Sequence, residues 1–113
     1  MCNLDNTPQE RLARNEAFFR DVNERINDAG DRLPAGEKYT FFCECSDANC
    51  TERIELSRDE YEHIRTNSRR FVLARGHIAP EIEHVVEQET DHVVVEKHGE
   101  AGLLAVKLDP RTA

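Results

Sequence analysis

The sequence predicts a single α+β domain: an N-terminal amphipathic helix, a small and mostly antiparallel sheet, and one short helix. Three observations carry that prediction. A capped stretch with helical periodicity runs over 8–29, strand formers flank a cysteine cluster at 43–50, and a valine run stands at 93–95. With 113 residues, 38% hydrophobic and 34% charged, the chain has material for one modest core and none for a second domain.

Residues 1–6 read as a tail. Thr7-Pro8-Gln9-Glu10 is a capping box with proline at the first helical position, where a missing N–H costs nothing. Leu12, Phe19, Val22, Ile26 and Ala29 follow at intervals of 7, 3, 4 and 3, an apolar stripe that predicts a helix over 8–29 packed on the sheet. Gly30 offers a left-handed stop. Phe18 lies beside the stripe, so a dimerisation helix is the alternative reading.

Asp31 to Glu37, with Pro34 and Gly36, is a loop. Tyr39 to Phe42 predicts a strand leading into Cys43, and Thr51 to Leu56 a strand returning, with Ile54 and Leu56 on one face. Ser57-Arg58-Asp59-Glu60 is a second capping box, opening a helix to about Asn67 with Tyr61 and Ile64 inward and Leu56 as staple. Phe71 to Ala74 predicts a strand that ends at Gly76-His77. Pro80 to Glu87 stays ambiguous: Ile82, Val85 and Val86 fit a helical face, while Ile82, His84 and Val86 alternate. His92 to Lys97 is a strand, His98-Gly99-Glu100 a turn, and Leu103 to Leu108 a last returning strand. Asp109-Pro110 ends the ordered chain and leaves 110–113 as a second tail.

A net charge of −8 argues against nucleic acid as partner, because phosphate binding is driven by Lys and Arg displacing counterions. Six of the 15 basic residues lie between 52 and 76, but five acids stand in the same span. From 77 onward eight acids face three bases. No apolar run approaches the ~20 residues of a membrane span. The first residues have neither the basic nor the apolar region of a secretory signal, so the expected setting is cytoplasmic.

The chemistry concentrates at Cys43, Cys45 and Cys50. In a reducing compartment, cysteines this close are metal ligands more often than disulfides. Zinc takes thiolate and imidazole in a tetrahedral set, and a structural site needs four of them. Ser46-Asp47-Ala48-Asn49 can make the tight turn that points the thiols inward, and the flanking strands would hold it like a clip. Free thiols and a disulfide are the competing readings. The fourth ligand must come from His63, His77, His84, His92, His98 or Cys2. His77 is favoured because it follows Gly76 at a strand end, where backbone can approach a metal closely.

The run Phe41-Phe42-Cys43-Glu44-Cys45 … Cys50-Thr51-Glu52-Arg53-Ile54-Glu55-Leu56, with Glu60-Tyr61-Glu62, Phe71-Val72, Gly76-His77 and Pro80-Glu81-Ile82-Glu83, resembles a set of small zinc-knuckle-like proteins of high-GC bacteria. No activity is assigned to that set. Asn15-Glu16 … Phe19-Arg20 … Val22-Asn23-Glu24-Arg25-Ile26 is similar to their N-terminal helix. The likeness implies the grouping of Cys43, Cys45, Cys50 and His77.

A closed Cys3His site is usually structural, the metal replacing core that a small chain lacks. The expected function is therefore a non-enzymatic, zinc-binding interaction or regulatory module. It would work by docking to a protein partner, with a homodimer through the N-terminal helix kept open. Two alternatives stand beside it. Exposed zinc thiolates serve as redox sensors. Three cysteines with water and a carboxylate, Glu44 or Asp47, would make a small zinc-dependent hydrolase, although the deaminase signatures are missing.

Overall fold

The structure is a computed structural model that describes residues 8–30 and 36–111. Helix α1 (Pro8–Ala29) precedes strands β1 (Lys38–Phe42) and β2 (Arg53–Ser57), then helix α2 (Arg58–Arg65). Strands β3 (Arg70–Ala74), β4 (Glu83–Gln88) and β5 (His92–Lys97) follow, and helix α3 (Gly99–Lys107) ends the order. The fold class is α+β. Strands β1 and β2 form an antiparallel hairpin, while β3, β5 and β4 form a second antiparallel sheet with β5 in the middle.

The main core lies between these layers. Phe41, Ile54, Leu56, Tyr61, Ile64, Phe71 and the three valines of β5 are all buried, and Phe41 stacks on Tyr61 at 4.6 Å. The second capping box forms: Glu60 N–H donates to Ser57 Oγ and Ser57 N–H to Glu60 Oε1. The first one involves Thr7, which lies outside the described residues, as do Cys2 and the tail over 1–6. The ambiguous segment resolves as a strand. Glu83 to Gln88 pairs with β5 while Ile82 stays in the turn before it, and a bulge between Val85 and Glu87 absorbs the mixed pattern.

Four expectations need correction. Leu103 to Leu108 is not a strand; Leu103 to Lys107 belongs to α3. Leucine and alanine are strong helix formers, and the small residues Ala101, Gly102 and Ala105 let the helix seat closely on its neighbours. A Cβ on Gly102 would stand 3.0 Å from the Lys97 carbonyl oxygen, so a larger residue would have to push that contact apart. Gly30 is not left-handed either; it leaves room for the Tyr39 ring, which a Cβ would meet at 3.3 Å. Arg111, placed in the tail, donates to Glu24 and Glu62, while Asp109 is buried against Arg65.

The fourth correction concerns the buried face of α1. Phe19 alone of the predicted stripe is buried; Leu12, Val22 and Ile26 are half-buried and Ala29 is exposed. The buried positions are Ala13, Glu16, Arg20, Asn23 and Asn27, at intervals of 3, 4, 3 and 4. This polar stripe docks by hydrogen bonds. Arg20 donates to the carbonyls of Ser68 and Ala105 and lies over the Phe71 ring. Asn27 donates to Glu62. Helix α1 meets backbone groups at strand ends and loops, and such groups need polar partners when water is excluded.

Candidate metal centre

Cys43 follows β1 directly, and its N–H donates to the Glu52 carbonyl at 3.0 Å, extending the hairpin beyond the strands. The next residue crosses to the other sheet: Glu44 N–H donates to the Val72 carbonyl at 2.8 Å. Ala74 N–H in turn donates to Cys43 Sγ at 3.1 Å. The turn over 46–50 closes by Cys50 N–H to the Asp47 carbonyl and Asn49 N–H to Asp47 Oδ1, the side chain mimicking a backbone turn. Gly76, with φ +85°, takes a backbone shape that L side chains rarely adopt, and His77 N–H closes that turn onto the Ala74 carbonyl.

These turns bring four side chains together. One ligand atom each from Cys43, Cys45, Cys50 and His77 lies within 4.8 Å of the others. His77 Nδ1 stands 3.6 Å from both Cys43 Sγ and Cys50 Sγ. The group could bind a metal ion. All three cysteines are free thiols rather than disulfides. Cys43 and Cys45 are buried; Cys50 and His77 are half-exposed, and a shallow depression of about 260 Å³ reaches Cys45 and His77 past Ser46, Asp47, Gly76 and Ile78.

The electrostatics single out Cys45. Its thiol is lowered to about 5, first by the hydrogen bond with Cys43 and then, against the opposing burial, by His77 and the backbone. The same Cys43–Cys45 bond, together with burial, pushes Cys43 up, and burial raises Cys50. Negative charge in the cluster therefore settles first on the central sulfur.

The other histidines stand elsewhere. His63 is exposed and sits on Glu87 at 2.9 Å, and His84 and His98 stack on each other at 5.8 Å on the surface. His92 is buried with Nδ1 on Asp91 at 2.8 Å. None of them joins the cysteine cluster. Glu44, a candidate acid or base for hydrolysis, is fully buried, and its carboxylate accepts from Val72 N–H and Asn23 Nδ2. Burial raises it to about 7, the Asn23 and Val72 hydrogen bonds opposing. It is a tether between the knuckle, β3 and α1.

Sequence reasoning missed the residues that hold the knuckle in place. Asn23 clamps it from α1, donating to the Phe42 carbonyl and Glu44 while accepting from Phe42 N–H. Asn15 donates to the Ser46 carbonyl at 2.8 Å. Asparagines at 15, 23 and 27 are poor helix formers at multiples of four, and that was the available signal. Comparison with family models, with curated proteins and with solved structures gave no match. Among the described residues no helix is long and apolar enough to cross a membrane.

Proposed function

We propose that Cys43, Cys45, Cys50 and His77 hold one zinc ion as a structural Cys3His centre, in a small cytoplasmic domain that acts by docking to another protein rather than by catalysis. The observation that carries this reading is the separation of 3.6 Å between His77 Nδ1 and two of the sulfurs. Zinc takes sulfur at ~2.3 Å and nitrogen at ~2.0–2.1 Å, and tetrahedral angles then set sulfur and nitrogen about 3.6 Å apart. Three cysteines beside one histidine also favour zinc over the oxygen-seeking cations.

Such an ion would join parts that the chain connects poorly. Cys43, Cys45 and Cys50 extend from the β1–β2 hairpin, while His77 follows β3 of the other sheet. The cross-link would replace apolar core in a chain with seven aromatics and no tryptophan. Four protein ligands fill a tetrahedral shell, and Glu44 already has its hydrogen-bond partners, which supports a structural rather than a hydrolytic role. Phe18, 64% exposed on α1, is an apolar contact point for a partner or a second copy.

Metal analysis of the purified protein tests the reading. It predicts one zinc per chain, lost together with thermal stability in C43S and C45S. A metal-free chain whose stability is the same in those variants would refute it. The half-exposed Cys50 favours a second reading, a zinc-thiolate redox sensor. Two bound thiolates would reduce one hydroperoxide, taking two protons to give water and the corresponding alcohol or a second water, and join as a disulfide while the ion leaves. Zinc release at one peroxide equivalent would support that reading, and retention would exclude it.

A further inference from the structure

We propose that the groove between α2 and the β4–β5 hairpin is a docking site for a basic segment of a protein partner, which inserts an arginine or lysine side chain. The inference deepens the docking role above. It shares no residue with the cysteine cluster, so its failure would leave metal binding untouched.

The groove has a volume of about 310 Å³, at the small end for ligand sites and suited to one long side chain rather than a large cofactor. Leu56, Ile64 and Val94, all buried, supply apolar surface among its lining residues. Asp59, Glu60, Glu87 and Glu89 bring four carboxylates, and the lining contains no lysine or arginine. A ligand that fits carries a methylene stem and a terminal cation, which describes those two side chains.

Two of the carboxylates are already engaged. Glu60 binds Lys38 at 3.0 Å, and Glu87 meets His63 at 2.9 Å and Arg70 at 3.8 Å. Asp59 and Glu89 form no side-chain ion pair among the described residues, although the Arg75 guanidinium donates to the Glu89 carbonyl at 2.7 Å. His92 is a separate pointer to a ligand. It lines the groove at 7% exposure, and with Nδ1 held by Asp91 its Nε2 is the ring nitrogen left over. Charge selects the same class of partner at long range, since a chain of net −8 attracts basic surfaces and repels acidic ones.

The experiment is a titration of the full-length, ¹⁵N-labelled protein with the peptide acetyl-Gly-Arg-Gly-amide, followed by amide chemical shifts. Two controls accompany it: the same peptide with neutral citrulline in place of arginine, and spermidine. Docking predicts saturable shifts centred on Asp59, Ile64, Glu89 and His92, weakened by salt and absent with citrulline. The double variant D59N/E89Q should bind about five- to tenfold more weakly, the sum of two exposed ion pairs, with its other amide signals unmoved. Equal binding of the citrulline peptide, shifts spread over acids elsewhere, or full affinity in the double variant would overturn the proposal. Tighter binding of spermidine at the same residues would also overturn it, making the groove a polyamine site.

Discussion

The cysteine knuckle and the buried ion cluster beneath α1 both put polar chemistry where a larger protein would have apolar core. They do so in opposite ways. The knuckle gathers three soft ligands from one short turn and one from a second turn, and a metal can satisfy all of them. The ion cluster gathers Glu16 from α1, Glu83 from β4 and Lys97 from β5, all fully buried, with both carboxylates on the one ammonium. Lys97 also lies 4.9 Å over the Phe71 ring, and Glu83 accepts from Ala79 N–H. One region depends on something added from outside; the other is closed by its own side chains. The difference teaches where this fold is conditional.

The largest expected effect is at the knuckle. Structural zinc contributes about 10–16 kcal/mol in small zinc domains, against a typical total stability of about 5–15 kcal/mol. C43S or prolonged treatment with a strong chelator should therefore abolish the cooperative thermal transition seen by circular dichroism. Lys97→Ala comes next, because it leaves two buried carboxyl groups without their shared cation. It should cost about 3–5 kcal/mol in urea unfolding while zinc content stays at one per chain.

How much of this contrast the sequence reveals follows from the spacing each chemistry needs. A metal knuckle demands cysteines within one turn, so 43, 45 and 50 announce themselves, and Gly76-His77 points to the fourth position. The sheet strands were legible through β-branched and aromatic runs. Glu16, Lys97 and Glu83 come from three distant elements, and a buried glutamate looks no different in sequence from a solvated one. The same cause misled the reading of α1: Leu12, Val22 and Ile26 form an apolar stripe, but the backbone groups beside α1 called for Arg20 and Asn23 instead, and the Glu62 carboxylate for Asn27. In α3, Leu103 and Val106 resembled a strand because the seat made by Gly102 shows only in three dimensions.

Smaller effects sharpen the comparison. Burial raises Glu16 from its ordinary 4.5 to about 9, with Lys97 opposing and Glu83 adding to the rise. The folded chain thus keeps a proton that the unfolded chain loses above about 4.5. This contribution to stability is whole below that pH and is lost as pH rises through about 9. E16Q should flatten the decline between pH 5 and 9, by at most about 1.4 kcal/mol per pH unit, as read by urea midpoints at matched pH. Asn23→Ala, which leaves Phe42 backbone groups and Glu44 short of a partner, should cost about 1–3 kcal/mol and speed zinc loss to a colorimetric chelator.

The most direct measurement is X-ray absorption at the zinc edge of the protein as purified. A Cys3His centre predicts three sulfur scatterers at ~2.3 Å and one imidazole nitrogen at ~2.0–2.1 Å, with the imidazole signal gone in H77A. A shell without imidazole, or one unchanged in H77A, would contradict the centre assembled from both sheets.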